Sequence, residues 1–435
     1  MLVALTIAGS DSSGGAGLQA DLKAFASQGV HGAVAITAVT AQNTQRVAGI
    51  HPLPSREVVA QIDAVLEDVP VSGAKTGMLY SASIARAVAR RLDGEPFPLV
   101  VDPVMVAGVG DALSGADLVG AIRDRVAPLA TVLTPNLPEA ESLLGHNIEG
   151  EEGARAACRE LLELGCEAVL LKGGHAAGPT CRDLLYHRGK FLVLEYPRVA
   201  IRGHGGGCVL AALLAANLAK GMTVPEATLK AKASVHQAVL DNYIIGGGVP
   251  VVSPLTAVYR GAQAHEVSGR LLRSARDLAR LLPRHWVPEV GADLAFALPG
   301  ARTREEVWGL EAPIVGCGNG AVLPAGVAAG GSEHLSAVVL AAMARHGGMR
   351  SAASLRMSED NLARAREAGM TTAPGRKEGG ASPIKPDSRT DSAISIPEQV
   401  PDVIYELAGP RGVPLLCLLG RGPEEVLAKA RRLVA

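Results

Sequence analysis

The chain has 435 residues and a mass of 44.6 kDa, which predicts two or three domains rather than one small module. Apolar residues make up 48% of it, charged residues 20%, and the mean hydropathy is +0.22, so a largely disordered chain is excluded. A formal net charge of −1 gives no basic field for binding nucleic acid or an anionic membrane. We therefore expect small-molecule substrates, no nucleic acid and no membrane among its partners.

The first residues and the cysteines indicate a cytoplasmic protein. Residues 1–17 are apolar for only about seven positions and lack a basic start, so they resemble a buried strand more than a signal peptide. No run approaches the roughly 20 uncharged apolar residues that cross a bilayer. The six cysteines include no C-x-x-C pair and predict reduced thiols. They are Cys158, Cys166, Cys181, Cys208, Cys317 and Cys417.

Short apolar runs alternate with stretches of helical periodicity from residue 1 to about residue 220. The apolar runs, typical of strands buried on both faces, lie at 3–9, 33–39, 71–77, 98–104, 130–136 and 167–174. The candidate helices lie at 18–29, 56–69, 153–165, 208–221 and about 225–241. This order predicts a doubly wound, mainly parallel α/β sheet with right-handed crossovers.

Polar side chains directly follow several of these predicted strands. Because the carboxyl ends of parallel strands meet along one edge of an open α/β sheet, these side chains should line a single ligand cleft. They are Ser10, Asp11, Lys75, Thr76, Asp102, Asn136 and Lys172.

The segment 8–22 places four glycines and several hydroxyl and carboxylate side chains between a strand and a helix. Exposed backbone N–H groups and a helix N-terminus suit a polar or anionic ligand. A tight turn explains the same glycines equally well.

A second glycine cluster precedes the long apolar helix near residue 208. Successive N–H groups of Gly205, Gly206 and Gly207 can form an anion hole for a phosphoryl group, helped by the helix dipole. The same field should lower the pKa of the Cys208 thiol and make it a base. The alternative is a cysteine that is simply small and buried.

Asn136 and Glu139 open another predicted helix. An amide and a carboxylate on one turn can hold hydrated Mg²⁺, although a plain helix N-terminal charge is the commoner role of such a glutamate. Lys172 can pair with nucleotide phosphates, and Asp102 can join the metal network.

The character of the chain changes at 241–259, which predicts a first domain of residues 1–258 and a second, smaller α/β domain of residues 262–435. In the second domain, helices are expected at 266–283, 332–347 and 423–435, and strands at 402–409 and 414–420. Residues 371–397, rich in Pro, Gly, Ser and charge, predict a mobile surface loop.

Three basic residues of this second domain are candidate ligands. Arg350 and Arg356 lie near small residues and can grip a phosphate, or can lie along a solvated face. His334 stands at a helix start after two glycines, where a cap or a packed side chain is the commoner role.

Seven ordered motifs over about residues 1–240 resemble the hydroxymethylpyrimidine/phosphomethylpyrimidine kinase family of thiamine biosynthesis. This resemblance implies a ribokinase-like fold and two successive transfers of the ATP γ-phosphate. The first goes to 4-amino-5-hydroxymethyl-2-methylpyrimidine and the second to its monophosphate. The motifs are AGSDSSGGAGLQADLKAFASQGVHG, AITAVTAQNT, KTGML, VVDPVMV, TPNLPEAE, LLKGGH and HGGGC.

The resemblance also implies site residues. Those that would frame the pyrimidine are Gly9, Asp11, Gln42, Met78 and Val106. Those that would organise ATP and Mg²⁺ are Asn136, Glu139 and Asp102, with Lys172 on phosphate, Gly205, Gly206 and Gly207 in the anion hole and Cys208 as base. The family usually has Thr where this chain has Gly206, which removes a hydroxyl contact but keeps the backbone N–H.

After residue 330 the chain has, in order, GGSEHLSAVVLAAM, RSAASLRMSEDNL, a variable loop, PDVIYELAG and LGRGPEEV. This order of motifs resembles the archaeal-type thiamine phosphate synthase domain. This resemblance implies that the domain joins the pyrimidine diphosphate to thiazole phosphate and releases pyrophosphate, with roles for His334, Arg350 and Arg356. Residues 312–316, APIVG, lack the basic residue expected there. Two alternatives remain open, a non-catalytic thiamine phosphate sensor behind the same kinase, or a pyridoxal kinase-like front. We expect a homo-oligomer.

Overall fold

The computed structural model describes residues 1–105, 116–173, 178–199, 204–377 and 394–435. The predicted pocket residue Val106 and residues 378–393 of the predicted loop lie outside this part of the chain. The chain divides into two compact units, Met1–Val258 and Tyr259–Ala435.

The first unit is built on a nine-stranded sheet in the order β3-β2-β1-β4-β5-β6-β7-β8-β9. Neighbouring strands from β2 through β7 pair in parallel, whereas β3, β8 and β9 pair antiparallel at the two edges. The strands are β1 (Val3–Asp11), β2 (His31–Gln42), β3 (Val47–Pro52), β4 (Val71–Thr76), β5 (Leu99–Val101), β6 (Val132–Leu133), β7 (Ala168–Leu171), β8 (Thr180–His187) and β9 (Lys190–Pro197).

Helices cover both faces of this sheet, which confirms the predicted doubly wound, mainly parallel arrangement. Two separate apolar clusters form the two layers: α2, α3, α5 and α6 pack on one face, and α1, α7 and α8 on the other. The helices are α1 (Gly17–Ser27), α2 (Ser55–Asp68), α3 (Ala82–Leu92), α4 (Ala116–Ala121), α5 (Leu137–Leu144), α6 (Gly150–Leu162), α7 (Gly206–Ala219) and α8 (Val224–Leu240).

Helix α7 is apolar around its whole circumference because it lies between the sheet and two other helices. Every residue from Val209 to Ala219 is buried, and α7 packs against α1, α8 and β4. Close packing of α7 on β4 is possible because Gly73 has no side chain; a methyl group there would lie 2.9 Å from Cβ of Ala219. The N-terminus of α7 is thereby fixed at the carboxyl edge of the sheet.

The second unit has a mainly antiparallel seven-stranded sheet in the order β14-β11-β10-β15-β20-β19-β16. Its strands, with two small hairpins, are β10 (Asp293–Ala297), β11 (Val307–Leu310), β12 (Val315–Cys317), β13 (Gly320–Val322), β14 (Val327–Ala329), β15 (Ser351–Arg356), β16 (Thr372–Pro374), β17 (Arg376–Lys377), β18 (Ile394–Ser395), β19 (Val403–Glu406) and β20 (Leu415–Gly420).

One face of the second sheet packs against three helices and the other face against a single helix. The helices are α9 (Thr256–Leu281), α10 (Glu333–Arg345), α11 (Glu359–Glu367) and α12 (Pro423–Val434), of which α10 is the single one. The predicted mobile loop is wrong for its first part, because β16 pairs in parallel with β19. Within the described residues, no helix combines the length and apolar character needed to cross a bilayer.

Candidate active site

The parallel strands of the first unit bring their predicted polar residues to one edge of the sheet. Strands β1, β4, β5, β6 and β7 are successive neighbours. The predicted polar residues are the last residues of β1 and β4 and follow the ends of β5, β6 and β7. The lysine after β7 meets the aspartate after β5: Nζ of Lys172 lies 2.8 Å from Oδ1 of Asp102. Nζ also lies 3.7 Å from Oε2 of Glu139. Two carboxylates and one ammonium group therefore share one cluster.

Burial and mutual charge perturb this cluster. Burial raises the pKa of Glu139 to about 7, against the opposing effect of the Lys172 ammonium. For Lys172, burial alone would lower the pKa, but the carboxylates of Asp102 and Glu139 raise it overall. Lys172 is therefore a permanent positive charge at the sheet edge, and Glu139 can hold or release a proton near neutral pH.

Asn136 and Glu139 form a reciprocal capping box at the start of α5. The Asn136 side chain accepts a hydrogen bond from the backbone N–H of Glu139 at 2.9 Å, and Oε2 of Glu139 accepts one from the backbone N–H of Asn136 at 2.8 Å. The side-chain oxygen of Asn136 is thus used inside the helix cap, a role that the sequence analysis did not predict for it. The carboxylate of Glu139 lies near Lys172 as well as in the cap. Its binding of a metal ion remains a proposal.

The glycine-rich start of α7 lies directly against this charged cluster. A methyl group on Gly207 would lie 3.5 Å from Nζ of Lys172 and 3.9 Å from Oδ2 of Asp102. Gly205 caps the helix in the left-handed conformation, with φ of 87°, and a methyl group on it would lie 2.0 Å from the carbonyl oxygen of Gly15. The two predicted glycine segments therefore pack on each other, and the free N–H groups of α7 border the cluster.

The predicted lowering of the Cys208 pKa is wrong. Burial raises the pKa of this thiol to about 11; the ammonium of Lys75 opposes that rise, and the carboxylates of Asp21 and Asp102 add to it. The dipole of α7 favours the thiolate, but desolvation and two nearby carboxylates outweigh it. Cys208 is therefore a protonated thiol in the free protein at neutral pH.

A buried ion pair lies beneath the site. Nζ of Lys75, on β4, lies 2.8 Å from Oδ2 of Asp21, on α1, and both side chains are completely buried. Thr6 donates a hydrogen bond to the same carboxylate oxygen at 2.7 Å. Burial alone would lower the pKa of Lys75, but Asp21 and Cys208 raise it, so its charge faces the thiol from inside the protein.

The carboxylate of Asp11 is held by the glycine-rich turn, and its role of framing the pyrimidine stays a prediction. Its carboxylate accepts hydrogen bonds from the backbone N–H groups of Ser13, Gly15 and Ala16 and from the hydroxyl of Ser13. Nε2 of His204 lies 3.0 Å from Oδ2 of Asp11. These contacts fill the acceptor positions of a carboxylate. Burial would raise the pKa of Asp11, but the hydrogen bonds from His204 and Ser13 lower it.

His204 is a site residue that the sequence reasoning missed. It is 1% exposed, and its Nε2 lies 3.0 Å from Oδ2 of Asp11 and 3.0 Å from Nε2 of Gln42. Its place directly before three glycines was the available signal. Gly9 and Met78 also meet, because a methyl group on Gly9 would lie 2.2 Å from Cε of Met78. Four of the predicted pyrimidine residues are therefore placed: Gly9 lies against Met78, and Asp11 and Gln42 both lie against His204.

The charged cluster fits a magnesium ion. Asp102 and Glu139 offer hard oxygen donors, and when Glu139 is ionised the two carboxylates and one ammonium leave a net negative charge. Mg²⁺ prefers few protein carboxylates and completes its shell with water and phosphate oxygens. The raised pKa of Glu139 is the expected property of a buried carboxylate that lacks a full counter-charge.

In the second unit, His334 also belongs to a polar cluster. Its Nε2 lies 3.1 Å from Oε1 of Glu406 at the end of β19, and the thiol of Cys417 on β20 lies 3.9 Å from the same oxygen. Asp293 and Ser354 are in the same cross-strand row as Cys417, so they share its face of the sheet. A polar site therefore lies between this face and the N-terminus of α10.

The predicted phosphate grip by Arg350 and Arg356 together is not formed. The two residues flank opposite ends of β15, a strand that spans about 17 Å. Arg350 covers the ring of Phe296 at 4.7 Å and donates a hydrogen bond to the carbonyl of Ala297. Arg356 lines a different place, a cleft of about 640 Å³.

Basic side chains line this cleft, although residues 312–316 lack the basic residue that the resemblance implies. Arg284 and His285 face it beside Arg356. Neither was predicted, because both lie outside the motifs that carry the resemblance. The cleft is lined by Arg284, His285, Val287, Pro288, Glu289, Gly316, Asn319 and Arg356.

Comparisons with known proteins agree with both resemblances. Residues 11–253 match the phosphomethylpyrimidine kinase family, and residues 271–432 match the family described as thiamine-phosphate synthase ThiN. The hydroxymethylpyrimidine/phosphomethylpyrimidine kinase of Streptomyces coelicolor is 45% identical over 246 residues, which are 56% of this chain and 91% of that protein.

Solved structures show the same fold for the first unit. A phosphomethylpyrimidine kinase from Clostridium difficile is 38% identical with a TM-score of 0.50, covering 55% of this chain and all of that one. A Bacillus subtilis pyridoxal kinase in complex with ADP is 33% identical with a TM-score of 0.55, covering 59% of this chain and 98% of that one. The ribokinase-like fold is thereby confirmed. The chain belongs to the phosphomethylpyrimidine kinase family and carries a thiamine-phosphate synthase domain behind its kinase domain, which makes it an enzyme of thiamine biosynthesis.

Proposed function

We propose that the first unit transfers the ATP γ-phosphate to the hydroxymethyl group of 4-amino-5-hydroxymethyl-2-methylpyrimidine and then phosphorylates the monophosphate. The observation that carries this proposal is the contact of the glycine-rich start of α7 with the cluster of Lys172, Asp102 and Glu139. Such an arrangement aligns phosphates and neutralises the charge that develops on the transferred group, which is the main work in phosphoryl transfer.

Each charged residue has a separate task in this proposal. Lys172 contacts the phosphates of ATP, and the N–H groups of Gly206 and Gly207 bind the transferred phosphoryl oxygens. Asp102 and Glu139 would hold Mg²⁺, which when bound neutralises phosphate charge. Asn136 fixes the turn that presents Glu139.

The pyrimidine would be bound beside this cluster. Gly9 and Met78 give an apolar contact, and Gln42 supplies amide groups for ring nitrogens. Asp11 and His204 fix the adjoining turn. Val106, implied by the resemblance, remains part of the proposed pocket.

The two transfers place different demands on Cys208. In the first, the substrate alcohol loses its proton as its oxygen bonds to phosphorus and the bond from phosphorus to the ADP oxygen breaks; Cys208 as thiolate accepts that proton. In the second, the acceptor is an already ionised phosphate, so no base is required. The two steps share every other contact.

For the second unit we propose thiamine phosphate synthase activity. The bond between the pyrimidine methylene carbon and the diphosphate oxygen breaks, the thiazole nitrogen bonds to that carbon, and pyrophosphate leaves. His334 and the basic cleft with Arg284 and Arg356 support this proposal, because two phosphorylated substrates require basic groups. Arg350 would not contact the substrates in this proposal and would act on the synthase site through its packing on Phe296.

The full chain with ATP, Mg²⁺ and the pyrimidine tests both proposals in one assay. Chromatography should show the monophosphate, then the diphosphate, and after addition of thiazole phosphate should show thiamine phosphate with an equal amount of pyrophosphate. Diphosphate without thiamine phosphate would leave the second unit as a sensor. No phosphorylated pyrimidine would contradict the kinase proposal.

Pyridoxal phosphorylation is the second candidate activity, because a pyridoxal kinase shares 33% identity and the fold with this chain. Equimolar pyrimidine and pyridoxal should compete for the same site. We expect kcat/KM to favour the pyrimidine at least tenfold; the reverse preference would make the first unit a pyridoxal kinase.

A further inference from the structure

A histidine, a glutamate and a cysteine of the second unit converge on one point. The ligand atoms of His334, Glu406 and Cys417 all lie within 4.8 Å of one another. Glu406 and Cys417 are on neighbouring strands of the central sheet, and His334 is in the first turn of α10. Ile404 pairs with Cys417, and Glu406 follows two residues later, so both side chains point to the face covered by α10.

The surroundings of these three side chains leave their charge and hydrogen bonding incomplete. Glu406 is 7% exposed, Cys417 is fully buried, and Asp293 adds a second carboxylate nearby. Among the described residues, the ion pair of Glu406 is with His334. Nε2 of His334 is buried and makes no aligned hydrogen bond in this part of the chain, although Oε1 of Glu406 is 3.1 Å away. A buried carboxylate and an unsatisfied imidazole nitrogen are costly without a shared partner.

Two of the three separations between the ligand atoms are close to those of a metal centre, and the third is within 4.8 Å. Ligand atoms at bond lengths of about 2.0–2.3 Å in a tetrahedral site lie roughly 3.3–3.8 Å from one another. The separations here are 3.1 Å between nitrogen and oxygen and 3.9 Å between sulfur and oxygen. Glu406 and Cys417 stand on paired strands, so their backbones are held in place and only the side chains have to adjust to an ion.

We propose that His334, Glu406 and Cys417 bind one divalent transition-metal ion, with Zn²⁺ as the ion that this mixed nitrogen, oxygen and sulfur set suits. Mg²⁺ is a poor match, since it prefers oxygen donors and a thiolate ligand is soft. On binding, the metal–sulfur bond replaces the S–H bond of Cys417, and the proton passes to solvent. The fourth position, on the partly exposed side of His334, is left for water or a phosphate oxygen of the substrate.

This site is distinct from the proposed magnesium site of the first unit and does not depend on synthase turnover. Its test measures metal binding by spectroscopy, so the result can be interpreted even if the second unit has no synthase activity. Co²⁺ serves as the probe, because a thiolate bound to Co²⁺ gives a near-ultraviolet charge-transfer band and a tetrahedral site gives intense visible bands.

The experiment uses the full chain, stripped with a chelator and titrated with Co²⁺, and separately loaded with Zn²⁺ for elemental analysis. We expect a charge-transfer band that saturates at one Co²⁺ per chain and one tightly bound Zn²⁺. Cys417→Ser should remove the band, and Glu406→Gln should weaken Co²⁺ binding at least tenfold. A wild-type chain without the band, or a band that persists in Cys417→Ser, overturns the proposal.

Two matched controls separate this centre from other thiols. Cys158→Ser changes another buried free cysteine, in the first unit, and should leave the band unchanged. Cys208→Ser tests whether Co²⁺ instead binds beside Asp102, and it too should leave the band intact; loss of the band in either control contradicts the assignment. If Cys417→Ser fails to fold, Glu406→Gln and the wild-type titration still decide the question. Zn²⁺ should also raise the Tm of the stripped wild-type chain, because a ligand that binds the folded state stabilises it.

Discussion

Cys208 shows how burial decides the chemistry of a single side chain. A thiol at a helix N-terminus is favoured as thiolate by the dipole, but here burial together with Asp21 and Asp102 raises the pKa to about 11. At pH 7.5 only roughly one molecule in a few thousand then carries the thiolate. The thiolate of Cys208 is therefore a strong base, but only a small fraction of molecules carries it.

If Cys208 is the base of the first transfer, its rate must follow the thiolate fraction. Below a pKa of about 11 that fraction grows tenfold per pH unit, so kcat for the alcohol substrate should rise about tenfold per unit between pH 7 and 9. The transfer to the monophosphate should change less than threefold. Initial rates with each substrate measure this; a flat profile for the alcohol would exclude the base role.

Cys208→Ala gives the complementary test. We expect the first phosphorylation to fall about 100-fold or more and the second by less than about threefold, since a general base contributes at least two orders of magnitude. Equal losses would mean that the thiol only packs. Cys158→Ala is the matched control, because that cysteine lies buried away from the strand ends.

The ion pair of Lys75 and Asp21 makes a prediction about stability. Both groups are fully buried, so Lys75→Met leaves an uncompensated carboxylate and should lower the free energy of unfolding by about 3–5 kcal/mol. The double variant Lys75→Met/Asp21→Leu should recover most of this loss, because no charge is then buried. Chemical denaturation, followed through the unfolding transition of the first unit, measures the free energy of unfolding of both variants. A double variant as unstable as the single one would contradict the argument.

At the scale of elements, substitutions of two adjacent glycines at the start of α7 should have opposite effects on stability. Gly205→Ala adds a methyl group 2.0 Å from a carbonyl oxygen in the left-handed conformation, and should cost more than about 2 kcal/mol together with most kinase activity. Gly206 is helical, and a methyl group there would have its nearest contact at 3.9 Å, with Val252. Gly206→Ala should therefore stabilise the chain by about 0.5–1 kcal/mol and preserve activity.

Thermal unfolding and kinase rates of these two variants check the prediction. Gly206→Thr, which introduces the residue usual in the family, should be tolerated as well, because the backbone there is helical and the Cβ has no contact closer than 3.9 Å. Similar damage from Gly205→Ala and Gly206→Ala would show that the glycines are needed for flexibility and not for a close approach.

The central elements could be predicted from sequence, and the edge elements could not. Residues 3–9 of β1 and residues 168–171 of β7 are buried, so the continuous apolar runs at 3–9 and 167–174 of the sequence identified these two strands. Strand β8 has three buried residues, strand β9 has one, and β3 has none, so none of the three gives such a run. Helix α9 begins ten residues before the predicted start at 266, because its first turns carry little apolar periodicity.

The position of site residues was more predictable than the direction of their side chains. Strand order placed Asp102 and Lys172 together, since parallel strands end at one edge. The use of Asp11 within its own turn, and the separation of Arg350 from Arg356, depend on packing and strand register that no local pattern encodes. For the same reason Glu406 and Cys417 were not predicted to meet His334.

At the scale of the whole molecule, the described residues of each site belong to a single unit. The charged cluster with Lys172 lies within Met1–Val258, and His334 with Glu406 lies within Tyr259–Ala435. Substitutions in one site should therefore leave the chemistry of the other unchanged.

A crossed pair of variants tests this independence. Lys172→Met should reduce ATP-dependent phosphorylation at least 100-fold, yet release pyrophosphate from supplied pyrimidine diphosphate and thiazole phosphate within twofold of the wild-type rate. His334→Ala should show the opposite pattern. Loss of both activities in either variant, with the fold intact by circular dichroism, would show that the units depend on one another.

The burial of α7 has a consequence for the energetics of the kinase. Eleven consecutive buried residues, from Val209 to Ala219, anchor the helix between the sheet and its neighbours, so its first N–H groups occupy fixed positions before any nucleotide arrives. Dipoles that are already oriented toward developing charge need no reorganisation during the reaction, whereas water would have to turn. The apolar composition of one helix thus lowers the reorganisation energy of a reaction between highly charged phosphates.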